Sequence, residues 1–188
     1  ESLQDYTSMI SKNSLQLYHL IDQIMKFSSI KKKEQIEMQT VDLSVVINQI
    51  KNLISDTIKK ENVDIKMGPL PKVHGDISLL LILFKNLIEN AIKYNDKDSK
   101  IIEIGSQFGS AVDGSDKIIY VKDNGIGVEE KYQQDIFEMF KKLHPKHEYD
   151  GAGLGLSICQ RIADLHGYSI EITSQLDVGT TFFLKPEV

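Results

Sequence analysis

The chain has 188 residues, 41% of them hydrophobic and 26% charged, which suits one soluble domain with a satellite element and a real core. A net charge of -5 speaks against general affinity for nucleic acid, which wants a basic face. The single cysteine, Cys159, excludes an internal disulfide framework and a cysteine-rich zinc site, and no apolar run approaches the ~20 residues that span a bilayer.

In chain order, about Leu3 to Lys33 reads as a helix. Leu17, Leu20, Ile21, Ile24 and Ser28 follow helical spacing and lay an apolar stripe along a polar rod. The lysine-rich stretch SSIKKKEQIEMQTVDLS is expected to be a connector. A helix opening at Val41-Asp42-Leu43-Ser44 and running through Lys60 carries Leu43, Ile47, Ile50, Ile54 and Ile58 on one face. Val63 to Lys66 is a short strand candidate stopped by Gly68-Pro69, and VHGD, with His74, looks like a turn. Asp76 or Ser78 caps the next helix. Lys100–Phe108 and Lys117–Asp123 read as strands separated by the turn-forming GSAVDGSD. Leu154 to His166 is a helix, and YSIEITSQ with TTFFLK forms a closing hairpin around Asp177-Val178-Gly179. Helices mixed with largely antiparallel strands imply an α+β layer, with helices on one face of the sheet.

Local patterns on this frame carry chemistry. On the helix after Asp76, Asn86 and Asn90 lie four residues apart with Lys93 and Tyr94 one turn further on, so they share one side. Asparagine is a mediocre helix former because its amide competes for backbone groups, so a core helix that spends two positions on it needs a reason. Asp123 ends a strand and is followed by Gly125 and Gly127. A carboxylate there can accept a hydrogen bond from the amino group of adenine, with glycine leaving room for the flat ring. Gly151, Gly153 and Gly155 precede a helix, whose unpaired N–H groups and partial positive charge suit phosphate. Neither cluster is a P-loop, since the Gly-Lys-Ser/Thr ending is absent. Alone, Asp-Asn-Gly is usually a turn and Gly-x-Gly-x-Gly a packing device; their occurrence together, in this order, favours a nucleotide.

Taken together, these residues resemble the ATP-binding catalytic domain of sensor histidine kinases, in the GHKL superfamily with the Bergerat fold. The boxes run in the family's order: an N box at Asn86 to Tyr94, a first glycine box at Asp123 to Gly127, and an F box at Phe137 to Phe140. A second glycine box lies at Gly151 to Gly155, and Gly179-Thr180-Thr181-Phe182 resembles the closing box. The resemblance covers about Val41 to Lys185 and implies a two-layer sandwich, a mixed and mostly antiparallel sheet with helices on one face, preceded by a long helix.

The resemblance also implies ATP and Mg2+ as ligands. Asn90, helped by Asn86, would hold Mg2+, Lys93 would contact phosphate, and Tyr94 would pack by the adenine. Asp123, Gly125, Ile126 and Gly127 would meet the nucleotide, as would Gly151, Ala152, Gly153, Leu154, Gly155 and Leu156, with Thr180 and Thr181 closing the site. Phe137 to Asp150 would form a lid offering Lys141, Lys142 and Lys146 to the γ-phosphate, with Phe137 and Phe140 as its anchors. Lys142 stands where many members carry arginine. Asn86 and Lys142 are the catalytic candidates. Relatives that hydrolyse ATP carry glutamate where this chain has Asn86, and an amide cannot take a proton, so transfer to a histidine is expected rather than strong ATPase activity. His144 and His147 read as exposed loop residues, and HGY at His166 to Tyr168, where the family usually has two glycines, as a local packing difference.

By the same resemblance the chain divides into residues 1–33, the second helix of a dimerisation and phosphoacceptor hairpin; a linker, 34–43; and the ATP-binding domain, 44–188. The hairpin's first helix is expected to be missing, because His19 lacks the acidic neighbour and the proline of the family's phosphoacceptor. Starting at Glu1 without methionine, the chain reads as a piece of something longer. The expected partners are a phosphoacceptor helix of the same or a paired subunit, a response-regulator receiver domain, and a second subunit in the full-length homodimer. The domain is expected to be cytoplasmic, with membrane attachment elsewhere left open, and not to phosphorylate itself alone. The competing readings are a degenerate nucleotide-binding module without kinase activity, against which Asn90 and Asp123 argue, and an anti-sigma-type serine kinase, disfavoured by the N-terminal helix. Asn86 disfavours an ATPase of the topoisomerase, mismatch-repair or chaperone kind.

Overall fold

The computed structural model describes residues 36–109, 117–141 and 153–187, with six isolated positions ahead of them. Those positions, Tyr6, Thr7, Ser11, Ser14, Ile21 and Met25, are all helical and exposed. The rest of the helix expected over Leu3 to Lys33, with His19, lies outside the described residues, as do Lys142, His144, Lys146, His147, Gly151 and Ala152. Among the described residues no helix is long and apolar enough to cross a membrane.

The chain enters the fold as strand β1 (Gln39–Asp42), then helices α1 (Leu43–Leu53) and α2 (Ser55–Lys60), strands β2 (Val63–Met67) and β3 (Lys72–Gly75), and the long helix α3 (Ile77–Lys93). Strands β4 (Lys100–Phe108) and β5 (Lys117–Asp123) follow, then helix α4 (Gly155–Leu165) and the hairpin β6 (Tyr168–Gln175) and β7 (Gly179–Pro186). A five-stranded sheet has the order β2-β4-β5-β7-β6, with β2 parallel to β4 and the other pairs antiparallel. Its inner face carries Ile102, Ile104, Ile119, Val121, Ile170, Phe182 and Leu184, at the period of two that a one-sided sheet requires. Against it pack the apolar stripes of α1, α3 and α4, including Ile47, Ile50, Phe84, Leu87, Ile88 and Ile162, all 1% exposed or less. The expected α+β layering, with helices on one face, is therefore the observed one.

Two expectations are corrected. Gln39–Asp42 lies within the stretch expected as connector and helix start, and VHGD was expected as a turn, yet the two segments pair antiparallel, Val41 opposite Val73 and Thr40 opposite His74. The valines are both buried, at 4% and 7% exposure. A four-residue strand carries almost no periodic signal of its own; its partner thirty residues away supplies the reason. The helix expected to run through to Lys60 is interrupted at Ile54, where φ is -108 and ψ is 21. Ile54 stays in the core at 7% exposure, while α2 beyond it has no fully buried residue and only Ile58 partly packed against the core.

His166 does more than alter local packing. It accepts the Asp76 N–H on Nε2 at 3.0 Å and places Nδ1 2.7 Å from the Ile162 carbonyl, so the proton must sit on Nδ1. The ring thereby ties the end of α4 to the start of α3, where the Asp76 carboxylate caps Ser78 and Leu79. At 9% exposure, both ring nitrogens are satisfied.

Candidate functional site

The site is built where the C-terminal half of α3, the end of β5, the start of α4 and the β6–β7 hairpin converge. Helix α3 buries Leu83, Leu87, Ile88 and Ala91 and leaves Asn86, Asn90, Lys93 and Tyr94 half-buried. The apolar stripe thus fixes which way the asparagines face. Neither amide makes a hydrogen bond among the described residues, and the Asn86 oxygen lies beside the first residue of α4, 3.5 Å from where a Cβ on Gly155 would be. Half-buried amides without partners suit a ligand better than a packed surface.

Helix α4 starts unlike its neighbours. Asp42 caps α1 and Asp76 caps α3, but Leu154 precedes α4 and gives no side-chain cap. Among the described residues no side chain caps the first-turn N–H groups of α4, an arrangement that suits an external acceptor. Leu154 itself is 2% exposed and belongs to the core, so of the expected ligand contacts it can offer only its backbone. Leu156 is likewise packed against the core.

Asp123 ends β5 at 8% exposure. Its Oδ1 accepts two backbone N–H groups, from Gly125 at 2.8 Å and from Thr180 at 3.1 Å. Its Oδ2 receives no donor among the described residues. Burial raises its pKa from an ordinary 3.8 to about 6, against the lowering effect of the two N–H groups. Because the folded value exceeds the unfolded one, the protonated form favours the fold. Stability is lost as pH rises through about 6, and at neutral pH the carboxylate weighs against the fold by roughly 3 kcal/mol. Accordingly, the melting temperature of Asp123→Asn should exceed that of the wild type at pH 7.5, and thermal melts should show the gap closing as pH falls toward 4.

The glycines of the first box answer to packing. A Cβ on Gly125 would lie 2.3 Å from the Tyr94 carbonyl oxygen, so the space expected for a flat ring is filled by backbone, and glycine is needed to let β5 approach the end of α3. The Ile126 N–H then bonds that same carbonyl at 3.0 Å. Gly127, with φ +71, lies where a Cβ would meet the Gln175 carbonyl at 2.0 Å. Thr180 and Thr181 part company: Thr180 is buried beside Asp123, whereas Thr181 is the next strand residue and projects from the opposite face. Lys93 donates to the Tyr94 hydroxyl at 3.0 Å and sits 4.6 Å from that ring's centroid.

At the root of the expected lid, Phe137 packs edge-to-face on Phe182, centroids 6.3 Å apart, as an anchor would. Phe140 does not; its ring is 56% exposed, and only its backbone is tied, the N–H to the Gly153 carbonyl at 2.9 Å. Lys141 is engaged by Asp135 at 2.8 Å and Glu138 at 3.1 Å; these partners, Asp135 first, raise its pKa. Its charge is already spoken for.

Sequence reasoning missed Asn95, Asn124, Gln133 and Ser174. Asn124 accepts the Ile101 N–H and the Asn95 amide on Oδ1, both at 2.8 Å, and donates to the Ser99 carbonyl at 3.1 Å. It clips the segment after α3 onto the end of β5 that bears Asp123. Their contacts across the fold leave no mark in the local sequence.

Comparison with known proteins places this geometry in context. The family described as histidine kinase-, DNA gyrase B-, and HSP90-like ATPase matches residues 75–188. Cyanobacterial phytochrome B of Nostoc sp. (strain PCC 7120 / SAG 25.82 / UTEX 2576) is 38% identical over 166 residues, covering 87% of this chain and 22% of its own length. The chain spans less than a quarter of the length of this and two other curated phytochrome relatives it matches. Among solved structures, full-length ShkA in complex with AMPPNP aligns with a TM-score of 0.75 at 24% identity, over 97% of this chain and 38% of that one. The nucleotide-free catalytic domain of histidine kinase ThkA aligns with a TM-score of 0.66 at 25% identity, over 80% of this chain and 95% of that one.

Proposed function

The chain belongs to the histidine kinase-, DNA gyrase B- and HSP90-like ATPase family, and on that premise we propose that it is the ATP-binding catalytic domain of a sensor histidine kinase. It transfers the γ-phosphoryl group of ATP to a histidine on a separate helix, for relay to a response-regulator aspartate. The observation that carries this reading is Asp123: one carboxylate oxygen is held by two backbone N–H groups, and the other has no donor among the described residues. A buried acceptor of that kind fits the exocyclic amine of adenine.

The remaining residues take complementary roles. The uncapped start of α4 receives phosphate oxygens, Lys93 adds a positive charge, and Tyr94 flanks the base. Asn86 and Asn90 hold Mg2+ through their amide oxygens. Amide oxygens of this kind would suit Mg2+, a hard ion that prefers oxygen donors. Bound Mg2+ supplies neutralisation of the phosphate oxygens. Asn86 cannot serve as a base, and the nearby Glu89 is exposed and paired with Lys85. The chemistry is therefore positioning for transfer, with Lys142 of the lid assigned to the γ-phosphate. Residues 1–33 are proposed as one helix of the dimerisation hairpin, followed by a linker whose last part enters the fold as β1.

Calorimetric titration with ATP, with and without Mg2+, tests the reading. Mg2+ should strengthen binding to the wild type, and Asn90→Ala should lose most of that gain, about tenfold, while keeping its Mg2+-free affinity. Equal Mg2+ dependence in both proteins would remove Asn90 from the metal site. Supplying a phosphoacceptor hairpin in trans with labelled ATP tests the transfer: an acid-labile phosphoprotein supports histidine as acceptor, and an acid-stable one points to a serine kinase.

A further inference from the structure

Ser174 stands in β6 directly opposite Thr180 in β7, and its hydroxyl meets three groups. The Val128 N–H donates to it at 2.8 Å, the Gly179 carbonyl lies at 3.0 Å, and the Thr180 hydroxyl at 2.9 Å. A hydroxyl owns one proton and two lone pairs. The Gly179 carbonyl can only accept, so it takes the Ser174 proton. The Val128 N–H occupies one lone pair. One lone pair is left for Thr180, whose hydroxyl must then be the donor of that bond. The proton on Thr180 Oγ1 is thus committed to Ser174, and Thr180 presents only lone pairs to anything else it meets.

Thr180 is also the residue whose backbone N–H reaches Asp123 Oδ1. This corner of the site therefore combines a carboxylate oxygen and a hydroxyl polarised as an acceptor. Gln133 holds the arrangement in place, its Nε2 donating to the Val128 carbonyl at 3.1 Å and to the Ser174 carbonyl at 2.8 Å. That bond pins the hairpin to the chain leaving the first glycine box.

We propose that Ser174 is a specificity-determining positioning residue. By taking the Thr180 hydroxyl proton it keeps this corner free of a hydroxyl donor, so the site selects a purine with an amino group at C6 over one with a carbonyl there. The inference rests on Asp123 being the acceptor for the base. Without Ser174 the Thr180 hydroxyl rotates and donates, and a 6-oxo purine finds a partner that the intact site withholds. A buried hydroxyl that lacks its partner also weakens the hold on Asp123.

The test compares the affinities of MgATP and MgITP, which differ at C6, where the amino group becomes a carbonyl, and at the adjoining N1, which gains a hydrogen, for the wild type, Ser174→Ala, Ser174→Thr and Thr180→Val. Ser174→Ala should narrow the preference for ATP about tenfold. Ser174→Thr, which keeps the hydroxyl, should retain it. Thr180→Val keeps the backbone N–H and the volume but has no hydroxyl to turn into a donor, so it should retain most of the preference, and adding Ser174→Ala to it should change the preference little. Equal weakening of both nucleotides by Ser174→Ala would reduce Ser174 to a fastener of the hairpin and overturn the proposal. If Ser174→Ala does not fold, Ser174→Cys, whose thiol is only a weak acceptor, takes its place, and an unchanged preference there overturns the proposal. Should the wild type bind ATP and ITP equally, or Asp123→Asn leave ATP binding intact, the reading of Asp123 itself falls. Should the wild type prefer ATP and Asp123→Asn lose ATP binding, while Ser174→Ala keeps the full preference, this inference falls by itself.

Discussion

Asp123→Asn should weaken ATP binding by about 100-fold or more while leaving the domain folded. The carboxylate has its Oδ1 filled by the N–H groups of Gly125 and Thr180, which leaves Oδ2 for the adenine amine. An asparagine must keep its oxygen on the two N–H groups, and its own NH2 then points at the amine, donor against donor. Turning the amide over sets NH2 against the backbone N–H groups instead. Neither orientation restores the acceptor. Calorimetry of both proteins at one pH, with a thermal melt beside each, separates lost recognition from lost structure. Retention of wild-type affinity by the folded variant would mean that the base is read elsewhere. The same substitution removes a buried charge that opposes folding at neutral pH, so binding and stability should move in opposite directions, the usual signature of a strained functional group.

Gly127→Ala should destabilise the fold by about 3 kcal/mol or more, a fall in melting temperature of about 10 °C. Gly127 has φ +71, where an L side chain is strained, and a Cβ there would come within 2.0 Å of the Gln175 carbonyl oxygen and 2.6 Å of its carbon. Those atoms belong to the backbone of the β6–β7 hairpin and cannot swing aside as a side chain would. Relief requires the hairpin to move, and with it the bond from the Asp177 N–H to the Ile126 carbonyl at 2.8 Å. Because Thr180 and Ser174 ride on that hairpin, ATP affinity should fall together with stability. A melting temperature within about 2 °C of the wild type would show that the approach of the glycine box to the hairpin is not tight in solution.

How much of this was legible beforehand depends on the range of the interaction. The strands Lys100–Phe108, Lys117–Asp123 and Tyr168–Gln175 are observed with the bounds their alternation implied, and the Asp76 cap is where it was expected. Alternation, capping and helical periodicity are written within a few residues, and a short window shows them. The proposed grouping of Asn86, Asn90, Asp123, Thr180 and the α4 start as one site came from a series of short boxes in order, which constrains the fold more than any single box does.

Sequence by itself determined the type of most elements, though not of β1 or β3, the side of α3 that carries the two asparagines, and the presence of one acid among glycines. Only the tertiary structure decided which roles those residues could hold. Gly125 and Gly127 serve backbone approach to Tyr94 and Gln175, Thr181 turns away where Thr180 turns in, Lys141 is neutralised by Asp135 and Glu138, and β1 exists because β3 lies beside it. For all but Lys141, whose partners lie in the same short segment, the physical reason is common. A hydrogen bond or a steric limit between residues 30 to 60 positions apart leaves no trace in either neighbourhood, and it takes effect only when the sheet and the helix layer bring the two backbones together.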